Sequence, residues 1–200
     1  MSFPDTVSTL NPSRRLALGG AAAILALLPL QRAVAQTRAD GGDWMSMVQK
    51  HHAQIAATFD ELLAAIPAEG AATAGKPSSK LASAIKTLGY QLTAHSVAEE
   101  NVLYPALAMH GLKAESDKLY LDQAHAKVGH AEIVTATLGL NPADNNLRSK
   151  TQALKDAVLK HAKQDEEAQL YPSLQKAVDA NTNQALTKAY AMQFASVKPT

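Results

Sequence analysis

Between Ser79 and Met109, Leu81, Ile85, Leu88, Leu92, His95, Glu99, Val102, Ala106 and Met109 follow one another at steps of three and four. Such a stripe lies on one face of a helix and must be buried against neighbours. His95 and Glu99 therefore stand where leucines are expected. An unpartnered buried carboxylate costs several kcal/mol, so a stable fold has to place a hydrogen-bonded cation or a metal beside Glu99. Whatever this helix packs against must supply that partner.

The stretch has a near copy. His95 to Pro105 reads HSVAEENVLYP, and His161 to Pro172 reads HAKQDEEAQLYP, one residue longer. The second copy continues the stripe of Leu154, Val158 and His161, so its imidazole also points inward. Earlier in the chain, steps of about 100° per residue put Val48, Ile55, Phe59, Leu62, Leu63 and Ile66 on one face. His52 falls about 30° from the centre of that face and His51 about 70° to the other side. His52 is the inward residue and His51 lies at the rim. In a further segment His130 precedes Ile133, Val134 and Leu138 with the same forward spacing. His125 lies five residues earlier, about 140° around a regular helix, and joins His130 only if the helix is distorted near Gly129.

Breakers divide these stripes into four helices. The first starts after Asp43, a natural N-cap, and runs to about Ile66. The second spans about Ser79 to Met109 and stops at Gly111. The third begins near Glu115 or Ser116 and ends at Gly139. Asn141 and Pro142 open the fourth, which reaches about Ala180. The segment from Asn181 to Val197 is weakly helical and has no evident role. With no run of alternating β-branched residues, the expectation is an all-α, antiparallel four-helix bundle with short connections.

Residues 1–35 are expected to lie outside that bundle. Ser13-Arg14-Arg15 leads an uncharged apolar run to Leu30, followed by Ala33-Val34-Ala35. That is the order of an export signal, and the paired arginines are similar to the twin-arginine type. The run is shorter than the roughly 20 residues a membrane-spanning helix needs. The expected division is a signal peptide over 1–35 and a metal-binding domain over 36–200, its core about 44–178, delivered to the periplasm without stable membrane insertion. The chain has no cysteine, so it offers no disulfide and no thiolate ligand. Loss of Arg14, Arg15, Arg32 and Asp5 would turn 19 basic and 18 acidic residues into 16 and 17. Such a balance argues against a nucleic-acid partner.

One inward histidine per helix, with carboxylates about a turn later on two of them, is a nitrogen and oxygen constellation of the sort that holds iron or manganese in bundle cores. The chain resembles the hemerythrin-like, HHE cation-binding family over about residues 44–178. The resemblance is carried by His52-Ala-Gln-Ile55, His95 through Glu99-Glu100 to Leu103-Tyr104-Pro105, His130-Ala-Glu-Ile133, and His161 through Glu166-Glu167 to Leu170-Tyr171-Pro172. It implies a four-helix bundle around two non-haem iron ions, with His52, His95, His130 and His161 as ligands and Glu99 as one bridge. His125 would be the fifth histidine, although the family's pair on this helix is usually four apart and here the spacing is five.

The second bridge has two candidates. One turn from His161 selects Asp165, whereas six residues before the proline selects Glu166, which the resemblance favours. Glu166 requires a widened π turn to absorb the extra residue. Tyr104 and Tyr171 either hydrogen-bond a ligand or pack against the next helix, and Pro105 and Pro172 are expected to kink or close their helices.

The implied function is a di-iron protein that takes up or senses a diatomic ligand, oxygen or nitric oxide, with no dedicated catalytic residues. The alternatives are a di-iron redox enzyme, an iron-donating repair protein, or a metal-storage bundle. Manganese and zinc suit the same ligands.

Overall fold

A computed structural model describes residues 42–67, 77–138 and 147–199. The export segment, the linker around Gly70 and the Asn141-Pro142 helix start lie outside the described residues. Among the described residues the chain is entirely helical, and no helix is long and apolar enough to cross a membrane.

Helix α1 covers Trp44–Ala65 and starts where the Asp43 carboxylate accepts the Ser46 N–H at 3.1 Å. Helix α2, Ser79–Ala98, is capped in the same way by the Ser78 hydroxyl, which accepts the Leu81 N–H. It passes into a π turn, Glu99–Leu103, and then into α3, Tyr104–Met109. Gly111, at a φ of 88°, reverses the chain, and the Leu112 and Gly111 N–H groups close the preceding turn on Leu107 and Ala108. Helix α4, Lys113–Thr137, therefore begins two or three residues earlier than expected. Helix α5, Leu147–Lys160, leads into a π segment, His161–Leu170, and on into α6, Tyr171–Ala177. Asp179 then caps α7, Ala180–Ser196.

Cross-helix pairs fix the directions. Residues 66, 60, 52 and 43 of the first helical arm lie beside 148, 155, 167 and 175 of the last, so these two arms are antiparallel. Glu99 meets Gln123, Tyr104 meets Ser116, and His130 meets Ile85, so α4 folds back along α2. The four arms enclose two apolar clusters. One, around Ile55, Phe59, Leu88 and Ile133, fills the end near Ile66 and Leu81, and the other, around Trp44, Leu103, Leu107 and Tyr171, fills the opposite end. Buried polar groups occupy the level between them.

The π turn at Glu99–Leu103 corrects the register of the inner stripe. One extra residue in a helix rotates everything after it by about 100°. Leu103, Tyr104 and Leu107 become fully buried, while Met109, expected on the core face, is 85% exposed. Pro105 and Pro172 do not close their helices. Each sits in the first turn after a π segment, where a helix tolerates the missing N–H.

The C-terminal segment has a definite place as well. Helix α7 lies over the seam between α1 and α2. Asn183 and Thr187 accept hydrogen bonds from the Trp44 indole and backbone N–H groups, and Tyr190 is fully buried.

Candidate metal centre

At the polar level His52, His95, Glu99 and Glu166 are all buried, with ligand atoms within 4.8 Å of one another. His52 comes from α1, where the stripe Val48, His52, Ile55, Phe59 is continuous. His95 and Glu99 are one regular turn apart, with the Glu99 N–H bonded to the His95 carbonyl. Glu166 lies within the widened π segment that begins at His161. Asp165 points away instead, 2.8 Å from the Lys118 ammonium.

Three imidazoles present the same edge. His52 and His95 bring their Nε2 atoms within 3.0 Å of each other, and Nε2 of His161 lies 3.1 Å from Glu166 Oε1. Each outer Nδ1 has its own partner: Glu167 at 2.6 Å for His52, the Tyr190 hydroxyl at 3.1 Å for His95, and Asp122 at 3.3 Å for His161. Outer acceptors of this kind fix the tautomer that leaves Nε2 free for a cation and make the imidazole a better donor.

The carboxylates are held from the other side. Glu99 Oε1 accepts from the Tyr171 hydroxyl at 2.6 Å and Oε2 from the Gln123 amide at 2.7 Å. Glu166 divides its oxygens. Oε1 faces His161 and the two phenols, while Oε2 lies 3.2 Å from His52 Nε2. That Oε2 atom is buried and has no hydrogen-bond partner of proper geometry. An orphaned carboxylate oxygen between converging imidazole nitrogens is chemically suited to a divalent or trivalent cation, and the donor set fits one.

The titration behaviour points the same way. Burial pushes His52 down, but Glu166, Glu167 and Glu99 push it further up, to about 9. Burial likewise opposes protonation of His161, and Glu166, Glu99 and Asp122 outweigh it, again to about 9. For Glu166, burial raises the pKa while His161 and His52 pull it well below the usual carboxylate range. The cluster thus demands positive charge, either as protons or as a metal.

The third long helix behaves differently from expectation. His130 is on the inner face but donates its Nε2–H to the Ile85 carbonyl, 3.1 Å away, with its ring against Gly89. Gly89 precedes His95 by six residues, about 9 Å along the axis, so His130 is out of reach of the cluster. His125 is exposed and lines a cleft of about 310 Å³ that also reaches His52, His95 and His161. The α4 side chain at the right depth is Gln123, seven residues before His130 on the same face. Its signal was available: Leu119, Gln123, Ala126, His130 and Ile133 form one stripe, and Glu99 and Gln123 each lie twelve residues from the Gly111 turn.

Tyr104, Tyr171 and Tyr190 complete the set. Tyr104 and Tyr171 each follow a site glutamate by five residues, and π hydrogen bonds from their N–H groups to the Glu99 and Glu166 carbonyls bring each ring over its carboxylate. At the mouth, Asp122, His161 and Asp165 are also close enough to hold an ion, but Lys118 already sits between the two aspartates at 2.8 Å from each.

A protein named DNA nickase from Nostoc sp. (strain PCC 7120 / SAG 25.82 / UTEX 2576) is 27% identical over 107 residues, 54% of this chain. The chain spans 28% of that protein's length. No solved structure gives a significant match. The model of the hemerythrin HHE cation binding domain matches residues 45–174, more than half of the chain, and this protein belongs to that family.

Proposed function

We propose that this protein holds two iron ions and takes up a diatomic ligand, oxygen or nitric oxide. The observation that carries this reading is the division of Glu166, one oxygen toward His52 and the other toward His161. A carboxylate so placed serves as a bridge between two positions. Bound iron supplies the open coordination position and the change of oxidation state that diatomic ligands require. The chain's own residues orient the imidazoles through Glu167, Tyr190 and Asp122, exclude bulk water with two apolar clusters, and leave a cleft for a small molecule to enter. Iron loading followed by exposure to oxygen or nitric oxide tests it. The expected result is about two irons per chain and a visible band that depends on the gas. Less than one iron per chain, or no gas-dependent band, removes the reading.

Redox turnover is a second reading, favoured by one observation. Where the resemblance implied two imidazoles on the third long helix, Gln123 stands at the site's depth. A position poorer in nitrogen ligands suits turnover of peroxide or nitric oxide better than reversible carriage. Consumption of either substrate above the rate of free iron supports it, and the absence of turnover leaves the binding reading alone.

We also propose export by the segment Ser13 to Ala35, which would place the protein in the periplasm. Cell fractionation of the full chain against the Arg14→Lys, Arg15→Lys variant tests this, with cytoplasmic retention of the variant as the expected result. The nicking named for the Nostoc relative is not carried over, since the chain spans 28% of that protein's length.

A further inference from the structure

We propose that Tyr104 is a metal ligand: its phenolic oxygen completes the second metal position, the place that histidines of the third long helix would otherwise fill. The inference rests on the two-ion reading above.

The phenolic oxygen of Tyr104 lies 2.8 Å from Glu166 Oε1, 3.2 Å from His161 Nε2, 3.3 Å from Glu99 Oε2 and 3.0 Å from Gln123 Nε2. The Gln123 amide donates to it. A phenol carries one proton, which suffices for one of the remaining three neighbours. Neighbours at this spacing describe the edges of a coordination shell. Ligands bound at right angles at about 2.1 Å are separated by about 3.0 Å. His161 Nε2 and Glu166 Oε1, 3.1 Å apart, fit the same shell. Tyr104, His161 and Glu166 thus lie within 3.2 Å of one another, with Glu99 Oε2 3.3 Å from the phenolic oxygen, next to the point that His52 and His95 share with the same two glutamates.

Tyr171 provides the contrast. Among the described residues its hydroxyl hydrogen-bonds carboxylate oxygens alone, Glu99 Oε1 at 2.6 Å and Glu166 Oε1 at 2.9 Å. It is a hydrogen-bond donor that steadies the two carboxylates.

Delivery of Tyr104 depends on the π turn. Five residues along a regular helix would turn it about 140° away from Glu99. The hydrogen bond from the Tyr104 N–H to the Glu99 carbonyl widens that turn and returns the ring to the inner face. On metal loading the Tyr104 O–H bond breaks, the oxygen lone pair binds the ion, and the proton leaves to solvent. No electron is transferred in this step.

The test is iron(III) loading of the full-length protein, the Tyr104→Phe variant and the Tyr171→Phe variant, with metal analysis and resonance Raman spectroscopy. Phenolate bound to iron(III) gives an intense charge-transfer band and enhanced ring modes. Wild type and Tyr171→Phe are expected to show both, at about two ions per chain, and Tyr104→Phe to lose the band and fall to about one ion. Zinc, which is redox-inert, should follow the same stoichiometry without the band. Two ions in wild type without phenolate modes would overturn the role of Tyr104 while leaving the two-ion reading intact. A Tyr104→Phe variant that keeps both ions does the same. One ion in wild type overturns the two-ion reading itself. The wild-type Raman spectrum decides even if Tyr104→Phe fails to fold.

Discussion

Removing the hydroxyl of Tyr190 should loosen the metal more than it loosens the fold. Tyr190 comes from α7, beyond the matched family region, and its oxygen lies 3.1 Å from His95 Nδ1 and 3.0 Å from His51 Nδ1. If His95 gives Nε2 to an ion, its Nδ1–H donates to the phenol oxygen, and the phenol in turn donates to His51. His51 can accept because burial, followed by the charges of His95, His52 and Lys50, lowers its pKa to about 3 and keeps it neutral. Tyr190→Phe retains the buried ring and its place beside the stacked His51 and Phe194 rings, and deletes only the hydroxyl.

A donor orphaned on buried His95 costs about 1–3 kcal/mol. Taking about 2 kcal/mol, the melting temperature of the metal-free protein should fall by about 4–8 °C for a chain of this size. Losing the outer partner of a ligand imidazole typically weakens metal binding about 10–100-fold. Competition against a chromophoric chelator measures the second number, and thermal unfolding without metal measures the first. An affinity within about threefold of wild type, alongside the expected loss of stability, would refute the reasoning. Tyr190 would then serve only to pack α7 against the bundle.

Three further outcomes follow from the same geometry. Glu166→Gln should abolish tight metal binding, whereas Asp165→Asn, which removes a partner of the half-exposed Lys118, should change stability by no more than about 1 kcal/mol and leave metal content intact; elemental analysis compares them. His130→Asn should leave metal content unchanged and cost about 1 kcal/mol in chemical denaturation, because its imidazole binds the Ile85 carbonyl and not the cluster. The metal-free protein should lose stability as pH rises toward 9. His52 and His161 have pKa values raised to about 9, so their contribution is full below about 6.5 and disappears as pH passes the folded value. Glu166, with its pKa lowered, acts oppositely and withdraws stability below its ordinary range. Melting curves across pH, with chelator and with saturating metal, check this; the alkaline decline should be absent when metal replaces the protons.

Helical periodicity located the inward faces and much of the cluster. His52, His95, Glu99 and His161 were reached because an ionisable residue in a leucine stripe is costly wherever the helix packs, while Glu166 came from the repeated Leu-Tyr-Pro and the family resemblance, since one-turn spacing selected Asp165. The extra residue between His161 and Glu166 likewise anticipated a widened turn, and the π segment at His161–Leu170 contains it. Periodicity reports direction but not height. His130 was assigned to the correct face of its helix at the wrong level, two turns from Gln123, because depth is set by how two helices are paired and not by either one alone.

What the sequence by itself determined, then, is that the described residues form helices with buried histidines and glutamates that demand a cation, since burial of charge is unfavourable in any packing. The tertiary structure decided what meets them. A π turn at Glu99, invisible to a regular 3.6-residue period, rotated Tyr104 inward and Met109 into solvent. The docking of α7, whose own stripe is weak, set Tyr190 against His95. Both depend on contacts between residues far apart in the chain, and no local pattern encodes those.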